Sequence, residues 1–549
     1  MERLSTAETV VNMLELNGID RLFCLPGVQN DPLFDVLFDA KDRMHIVHSR
    51  HEQGAAYMAL GAALATGRPS AYCVVPGPGF LNTTTALATA QSCGAQVLAL
   101  IGQIPSACIG RGLGLLHEIP GQFDMLGNLT KWAGQIRAPV QAPGLIDEAF
   151  RQLRNGRPGP VGLECPADVW AKTAAVAMPD AAAGREDLPI DDDGIDAAAK
   201  LLGDAKAPLI VVGGGALEAS AEVTALAELL EAPVVAFRMG HGVVDSRNPL
   251  SVNLPVGHHL WSKADVVLGI GTRLQTQQVS WGVDDDLKII RIDIDPEEVN
   301  RIETPEVSLI GYADVTLRAL IDRLPSHMSK RASDLDELAA LKSAFAEKMA
   351  KLQPQLGYLD VIREALPEDG ILVDELVQPS YVARIAFPVY RPRTFICSGY
   401  QGTLGWGVAT ALGAQMAEPD KRVIALSGDG GFMFNVQELA VAVQHEVPLV
   451  IVLFNDGAFG NVRRVQKEMF GNRLIATDLA NPDFVKLAES FGALGLSATS
   501  PETLRTALHH AFEHKGPVVI DVRCGEMPGP WEFILLPSAR GRGKGASIF

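Results

Sequence analysis

Two short polar motifs in the last third of the chain are the first residues that could do chemistry. Gly428-Asp429-Gly430 follow an apolar run at 422–427, and Asn455 follows the next apolar run at 449–454. Both runs are typical of buried strands, and the residues at 434–444 show the apolar period of a helix. The carboxyl ends of parallel strands meet at one edge of a sheet. We therefore expect Asp429 and Asn455 to lie together at that edge.

This arrangement predicts a site for a phosphate group and a magnesium ion. The glycines at 428–431 let the backbone approach a phosphate closely, and a helix starting after them would point its N–H groups at the anion. A carboxylate and an amide oxygen suit Mg²⁺, so Asp429 and Asn455 would be two ligands and a backbone carbonyl near Gly457 a third. The alternative is a tight turn with an unrelated asparagine, but the flanking strands and helix favour the site.

A single carboxylate in the first domain could act as an acid or base. Glu52 opens an apolar, small-residue helix that starts at His51-Glu52-Gln53-Gly54. A carboxylate there can simply complement the helix dipole. Apolar surroundings would instead raise its pKa and let it share a proton with a ring nitrogen. We assign Glu52 a functional role only because the cofactor motif exists elsewhere in the chain.

The elements that must position these residues follow one repeated pattern of apolar run, glycine turn and amphipathic segment. An early copy and a late copy have the order strand, turn, helix, strand, and similar runs occur between them. Strands that alternate with helices form parallel sheets. The fold class is therefore α/β, with three doubly wound parallel-sheet domains. The early copy has strands at 71–75 and 96–101 and a helix at 82–92, and the middle strands are at 208–212, 264–271 and 288–293.

The predicted domains are residues 1–172, 190–325 and 355–530, followed by a C-terminal tail at 531–549. An Ala-rich, turn-prone linker covers 172–190, and a polar, partly helical linker covers 325–355. The tail carries Arg540, Arg542 and Lys544 among glycines, and we expect it to be solvated or lid-like rather than to bind an anion.

Composition excludes several classes of protein. The 549 residues carry a formal charge of −18, which disfavours nucleic-acid binding because that requires basic side chains. The seven cysteines form no CxxC pair, so zinc and redox motifs are not expected and free thiols in a reducing cytoplasm are. The start of the chain lacks the apolar core of a signal peptide, and no apolar run reaches the ~18–20 residues of a membrane span.

Several stretches together carry a family resemblance over nearly the full length. The stretches are Phe23-Cys-Leu-Pro-Gly27, His51-Glu-Gln-Gly-Ala-Ala56, Gly77-Pro-Gly79 with Asn82, Thr130-Lys-Trp132, Arg157-Pro-Gly-Pro-Val161, Cys165-Pro-Ala-Asp168, Gly402-Thr-Leu-Gly-Trp-Gly407 and Gly428-Asp-Gly-Gly-Phe-Met-Phe-Asn-Val-Gln-Glu-Leu439. In these stretches the chain resembles the thiamine-diphosphate-dependent decarboxylase and carboligase superfamily and, within it, acetolactate (acetohydroxyacid) synthase large subunits.

The resemblance implies a role for each domain and for particular residues. The domains would be pyrimidine-binding, central nucleotide-type and diphosphate-binding, in that order. Glu52 would pair with the aminopyrimidine ring of thiamine diphosphate, and Leu404 would support the bent cofactor, although core packing is an alternative for Leu404. Implied metal ligands are Asp429, Asn455 and Gly457. Implied cofactor contacts are Pro26, Gly27, Asn82, Gln378, Gly402, Leu404, Gly428, Asp429, Gly430, Gly431, Asn455 and Gly457.

The implied reaction is decarboxylation or carboligation of 2-oxo acids or aldehydes through ylid and enamine intermediates. In the family the sites lie between the first domain of one subunit and the third of another, which implies a homodimer or homotetramer. A nicotinamide dehydrogenase is disfavoured because no suitable Gly-x-Gly-x-x-Gly follows a strand.

The chain also departs from acetolactate synthases. Leu115-Leu116-His117-Glu118 stand where those enzymes have a Phe-Gln-Glu stretch, and His117 is a candidate acid/base, with a structural histidine as the alternative. Asp456 replaces a common second asparagine, and Val465 replaces a tryptophan that selects the acceptor, which suggests a bulkier substrate. Arg273-Leu-Gln-Thr replaces the Arg-Phe-Asp-Asp of FAD-binding synthases, so FAD in the central domain is left open.

Two alternative functions remain. The first is thiamine-diphosphate chemistry of another kind, by an aldehyde lyase, a diketone-cleaving enzyme, an acyl-CoA decarboxylase or a flavin oxidase. The second is a catalytically silent thiamine-diphosphate-binding regulatory subunit, against which the set Glu52, Asp429 and Asn455 argues.

Overall fold

A computed structural model describes residues 2–180, 184–328 and 334–546. It contains three six-stranded parallel sheets, which confirms the predicted fold class. None of the helices within these residues combines the length and the apolar character needed to cross a bilayer.

The first sheet has the strand order β3-β2-β4-β5-β7-β6, and a separate antiparallel pair joins β1 to β8. The elements of this part are β1 (Glu2–Ser5), α1 (Thr6–Leu16), β2 (Arg21–Cys24), α2 (Asp31–Ala40), β3 (His45–His48), α3 (Glu52–Thr66), β4 (Ser70–Val74), α4 (Pro78–Cys93), β5 (Val97–Gln103), α5 (Gln122–Leu129), β6 (Trp132–Gln135), α6 (Ala142–Arg154), β7 (Val161–Pro166), α7 (Ala167–Trp170) and β8 (Thr173–Val176).

The central sheet has the strand order β11-β10-β9-β12-β13-β14, which is the doubly wound order of nucleotide-binding folds. Its elements are α8 (Asp192–Asp204), β9 (Pro208–Val212), α9 (Ser220–Leu230), β10 (Val234–Ala236), β11 (Ser251–Val252), α10 (Leu254–Trp261), β12 (Val266–Ile270), a π-helix (Thr276–Trp281), β13 (Lys288–Asp293), α11 (Pro296–Val299), β14 (Val307–Ile310) and α12 (Ala313–Arg323).

The third sheet has the strand order β16-β15-β17-β18-β20-β19. Its elements are α13 (Leu335–Met349), α14 (Gln355–Ala365), β15 (Ile371–Asp374), α15 (Gln378–Ala386), β16 (Phe395–Cys397), α16 (Gly407–Ala417), β17 (Val423–Gly428), α17 (Asp429–Phe432), α18 (Leu439–Gln444), β18 (Val450–Asn455), α19 (Gly460–Met469), α20 (Phe484–Phe491), β19 (Leu494–Ala498), α21 (Pro501–Glu513), β20 (Val518–Arg523) and α22 (Trp531–Ile534).

The first and third sheets contact each other through the helices α3 and α16, which are buried along almost their whole length. Small residues allow the two backbones to approach closely. A Cβ atom on Gly61 would overlap the carbonyl oxygen of Thr410, and one on Gly413 would overlap that of Met58. The glycines in these two helices therefore serve close packing, which joins the two ends of the chain.

Two predictions about local structure are wrong, that of a continuous helix at 434–444 and that of a solvated tail. The predicted helix is interrupted: α17 begins earlier, at Asp429, a 3₁₀ turn follows at Val436–Glu438, and α18 begins at Leu439. The interruption coincides with Asn435, whose side-chain amide donates to the carbonyl of Gly405 (2.6 Å) instead of facing solvent. Because α17 is a single turn, its dipole is weaker than that of the long helix we expected.

The C-terminal tail is docked rather than solvated. The Arg540 guanidinium is only 6% exposed and pairs with Asp284 at 2.7 Å. Its Nε donates to the carbonyl of Trp261 at 2.9 Å, and backbone N–H groups of the tail donate to the chain around Trp281. The basic residues thus hold the tail against the central sheet.

Candidate active site

A cavity of ≈ 530 Å³ lies at the carboxyl edge of the third sheet. The sheet explains its position, because the ends of adjacent parallel strands and the turns after them open on the same side. Its lining includes seven of the residues proposed from the sequence: Gln378, Gly402, Leu404, Gly428, Asp429, Gly430 and Gly431.

Asp429 directly follows β17 and Asn455 ends the neighbouring strand β18, and their side chains converge. The Asn481 amide donates to Asp429 Oδ2 (2.6 Å) and to Asn455 Oδ1 (3.2 Å), so one donor group sits between the two oxygens. The Asn455 amide nitrogen donates to Asp521 (3.1 Å), which turns Oδ1 towards Asp429. Gly457 adjoins them, because its N–H donates to Asp429 Oδ2 at 2.8 Å. This set of oxygen atoms suits a hard divalent cation.

Burial and neighbouring charge raise the pKa values of two acids of this site. Burial raises the pKa of Asp429, and hydrogen bonds from Asn481, Gly430 and Gly457 partly offset the shift. Burial, followed by the charge of Asp429, raises the pKa of Asp456 to about 6. A bound cation would favour the charged forms of both acids.

The glycines of the turn leave space for close neighbours. A Cβ atom on Gly431 would overlap the carboxylate of Glu375, and one on Gly430 would overlap the ring of Phe459. Glu375 is 1% exposed, and it accepts hydrogen bonds from the Ser427 hydroxyl and from the N–H of Gly405. This buried carboxylate therefore ties the turn at 427–431 to the loop that carries Leu404.

Gln378, proposed as a cofactor contact, lines the cavity and also joins two loops. Its amide nitrogen donates to Asp456 Oδ2 (2.6 Å), and its oxygen accepts from the N–H of Met527 (2.7 Å). The side chain lines the cavity while holding the segment after β20 against the loop after β18.

A further part of the cavity lining comes from α19 and the segment at 526–531. Arg464 is largely buried, its guanidinium stacks on Trp531 at 4.0 Å, and it pairs with Glu468 at 2.6 Å. Lys467 pairs with Glu526 at 3.0 Å. Val465, which we expected to widen the pocket, is not among the lining residues, whereas Val462, Arg464 and Lys467 of the same helix are.

The candidates from the first domain lie elsewhere. Glu52 begins α3, as predicted, after His51, whose ring nitrogen accepts from the N–H of Gln53 (3.1 Å). The Asn82 amide donates to Glu52 Oε2 at 2.9 Å. Neither Glu52 nor Asn82 lines the cavity of the third sheet, and Pro26, Gly27 and His117 do not line it either.

Pro26 and Gly27 follow β2, and His117 lies next to the glycine turn after β4. A Cβ atom on Gly27 would overlap Val75, and one on Gly77 would overlap the carbonyl of His117. His117 has a left-handed φ of 68°, a strained conformation for this residue type, and its buried Nδ1 has no hydrogen-bond partner. The strain and the unpaired nitrogen keep His117 a candidate acid/base.

A second cavity of ≈ 420 Å³ lies at the carboxyl edge of the central sheet. Its lining includes the glycines at 213–215 and three arginines, Arg157, Arg238 and Arg273. Glu298, 4% exposed, pairs with Arg157 at 3.4 Å and also with Arg273.

Sequence reasoning missed several residues of the site. Asn481, Glu375, Arg464 and Trp531 lie in segments without a recognisable motif. Asn481 is in a loop far along the chain from Asp429, and only the fold brings it there. Glu375 was the most accessible of the four to prediction, because it directly follows the apolar run of β15.

Family models match three segments of the chain. They are described as the thiamine pyrophosphate enzyme N-terminal TPP binding domain (residues 4–125), central domain (195–320) and C-terminal TPP binding domain (378–522). The chain belongs to the thiamine pyrophosphate enzyme family. This confirms the resemblance inferred from the motifs, and the protein is an enzyme.

Curated relatives of this thiamine pyrophosphate enzyme span almost its whole length. A probable 2-ketoarginine decarboxylase of Pseudomonas aeruginosa is 32% identical over 531 residues, covering 95% of this chain and 94% of the relative. A probable acetolactate synthase large subunit of Methanocaldococcus jannaschii is 33% identical, covering 94% and 91%. The acetolactate synthase isozyme 1 large subunit of Escherichia coli is 29% identical, covering 95% and 94%.

Proposed function

We propose that the protein uses thiamine diphosphate and Mg²⁺ to decarboxylate 2-oxo acids, with or without ligation of the product to a second carbonyl. The observation that carries this proposal is the convergence of Asp429, Asn455 and Gly457 beside the glycine-lined cavity of the third sheet. The relatives named for acetolactate synthesis and for 2-ketoarginine decarboxylation both support a 2-oxo acid as substrate.

The residues present fit the cofactor and its metal. Asp429, Asn455 and the backbone of Gly457 would hold Mg²⁺. The turn at 428–431 would receive the diphosphate, because its glycines line the cavity and let the backbone come close to a phosphate. Leu404 would support the cofactor from the cavity wall. The bound cofactor supplies an electron sink next to the substrate carbonyl.

The chain's own residues would do the rest. Glu52 would hold a proton at the pyrimidine ring, with Asn82 orienting its carboxylate through their 2.9 Å hydrogen bond. His117 would donate a proton to the substrate or accept one from it. Arg464 and Lys467, which line the same cavity as Asp429, would bind polar groups of the substrate and exclude water.

We further propose that each active site is completed by a second copy of the chain. Exposed apolar side chains occur in both domains that carry site residues, and patches of exposed apolar side chains mark interfaces. In the first domain they include Val28, Leu81, Leu113, Leu115 and Leu116, and in the third domain they include Met433, Phe434, Val462, Met469 and Phe470. Pairing the two patches in a homodimer, or in a homotetramer of such dimers, would bring Glu52 of one subunit to Asp429 of the other.

The reaction is tested by supplying thiamine diphosphate, Mg²⁺ and one 2-oxo acid at a time. Pyruvate and 2-ketoarginine are the first two substrates, with CO₂ release and acetolactate as readouts. We expect CO₂ from at least one of a panel that continues with bulkier 2-oxo acids. Binding of the cofactor without turnover of any 2-oxo acid or aldehyde would favour the regulatory-subunit alternative and contradict the proposal.

Complementation tests the shared site. At cofactor and Mg²⁺ concentrations that do not saturate Asp429→Ala, the Glu52→Gln and Asp429→Ala chains are each expected to be nearly inactive, but a heterodimer of the two has one site with both residues intact. Co-expression with two different tags and tandem purification should therefore restore activity. Restoration would fail if Glu52 and Asp429 of the same chain formed the site.

For the central cavity we propose a nucleotide-type ligand, since arginines and a glycine-rich turn suit phosphate groups. FAD, which the sequence left open, is one candidate. An absorbance spectrum of the purified protein decides it: bands of bound flavin support FAD, whereas a colourless protein that releases an adenine nucleotide on denaturation supports a structural nucleotide. We also propose a cytoplasmic location, which the free thiols of the seven cysteines support.

A further inference from the structure

The carboxylate of Glu438 is a buried acid to which the proposed reaction assigns no role. It is 0% exposed and lies at the end of the 3₁₀ turn before α18. Its two oxygens accept hydrogen bonds from the backbone N–H groups of Arg50 (3.1 Å) and His51 (3.0 Å). A carboxylate of the third sheet thus holds two consecutive amides of the first.

Those two amides belong to the residues directly before Glu52, which begins α3. A negative charge is favoured at this end of a helix, and hydrogen bonds to a carboxylate are stronger than those between neutral groups. Gly54 leaves room for the contact, because a Cβ atom there would overlap the Glu438 carboxylate. The position of the first turn of α3 is therefore set by Glu438.

A second contact ties the same turn to the cofactor side of the third sheet. The Asn435 amide donates to Gln53 Oε1 (3.2 Å) and to the carbonyl of Gly405 (2.6 Å). Gly405 follows Leu404, which lines the cavity. One short segment, residues 435–438, therefore fixes both the start of α3 and the loop that carries Leu404.

We infer that Glu438 is a positioning residue for Glu52. It fixes the backbone from which the Glu52 side chain projects and thereby sets how that side chain meets the pyrimidine ring. The inference rests on the proposed function of Glu52. General acid–base catalysis requires the acid within hydrogen-bond reach of its proton, and a misplacement of about 1 Å costs about 100-fold in rate.

The principal test is Glu438→Gln, which keeps the side-chain volume but places an N–H₂ group opposite one of the two backbone donors. We expect kcat, and the rate at which the C2 proton of bound thiamine diphosphate exchanges with deuterium, to fall about 10- to 100-fold. The KM and the cofactor dissociation constant should be unchanged. In the protein without cofactor, hydrogen–deuterium exchange of the amides of Arg50 and His51 should be faster.

Two further variants separate positioning from folding. Asp374→Asn alters another buried acid of the third sheet, one whose ion-pair partner is Arg384 of α15 at 2.8 Å. It should lower the melting temperature without changing the exchange at Arg50, His51 or the cofactor. Gly54→Ala places a methyl group where it overlaps the Glu438 carboxylate, so it should also lower kcat. In a Glu438→Ala background the same substitution should not lower kcat further.

The outcomes separate this inference from the proposed function. If the wild type binds no thiamine diphosphate and consumes no 2-oxo acid, the proposed function fails and the inference fails with it. If the wild type is active but Glu438→Gln keeps normal kcat, or loses activity only as Asp374→Asn does while the amides of Arg50 and His51 stay protected, the inference alone is wrong.

Discussion

The first and third sheets have the same topology but carry different chemistry at equivalent positions. Their strand orders, β3-β2-β4-β5-β7-β6 and β16-β15-β17-β18-β20-β19, correspond strand for strand. The turn after β4 contains Gly77-Pro-Gly79, and the turn after the equivalent β17 contains Gly428-Asp-Gly430. The first turn packs beside Glu52, whereas the second carries Asp429 itself. Topology thus decides where a group is presented, and the residue type decides what the group does.

The equivalent helices show the same division. α3 begins with the carboxylate of Glu52, whereas α16 follows the loop of Leu404, and the two helices pack directly on each other. Under the proposed function, one end of the chain would supply the group that exchanges a proton and the other would bind the diphosphate and the metal. Four substitutions test whether this difference is real.

The largest effect is expected from Glu52→Gln. The amide cannot exchange a proton with the cofactor ring, so kcat should fall by about 10²- to 10⁴-fold, whereas cofactor affinity should stay near that of the wild type. Steady-state kinetics and calorimetric titration with thiamine diphosphate measure the two quantities. Full activity in this variant would contradict the proposed role of Glu52 in proton transfer.

The opposite pattern is expected for Asp429→Ala. Loss of a ligand oxygen should weaken binding of Mg²⁺ and thiamine diphosphate together, by about 10- to 100-fold, and saturating concentrations should restore part of the activity. Titrating Mg²⁺ at a fixed concentration of thiamine diphosphate, and thiamine diphosphate at a fixed concentration of Mg²⁺, measures both affinities. If kcat at saturation fell as in Glu52→Gln with unchanged affinity, the two sheets would not differ in role.

Gly61→Ala tests the helix contact that joins the sheets. The added methyl group would overlap the carbonyl of Thr410, and overpacking of this kind costs about 1–3 kcal/mol of unfolding free energy. Gly127→Ala in α5 is the matched control, because a Cβ atom there meets nothing within 4 Å. Thermal melting should show a drop for the first variant and none for the second.

The smallest effect is expected on the pH dependence of stability. It depends on Glu375, which follows β15, whereas the apolar Leu25 follows the equivalent strand β2. Burial raises the pKa of Glu375 to about 7 from 4.5, so the folded protein holds a proton that the unfolded chain releases above pH 4.5. The stability that the protonated Glu375 side chain provides is fully present below pH 4.5 and is lost as pH rises through 7. The melting temperature of Glu375→Gln relative to wild type should therefore rise between pH 5 and 7.5. Exposed Glu347→Gln should show no such trend.

The elements and motifs near the sheet edges could be predicted from the sequence, but their long-range partners could not. The apolar runs of β17 and β18 and the residues Asp429 and Asn455 follow local patterns that any parallel sheet imposes. Asn481 contacts both residues from a loop that has no periodic pattern. Glu438 reaches amides nearly four hundred residues away. The tail was misjudged because the acidic partner of Arg540, Asp284, lies on another domain.

The two walls of the cavity come from parts of the chain with unequal freedom to change in evolution. The wall at 428–431 is packed against Glu375 and Phe459, so almost any side chain added there meets an obstacle. The part of the lining from α19 and residues 526–531 contains pairs of side chains that contact each other, Arg464 with Trp531 and Lys467 with Glu526. Compensating substitutions within such a pair would leave the packing at 428–431 unchanged. A lineage of such enzymes can therefore acquire new substrates while its motifs stay fixed.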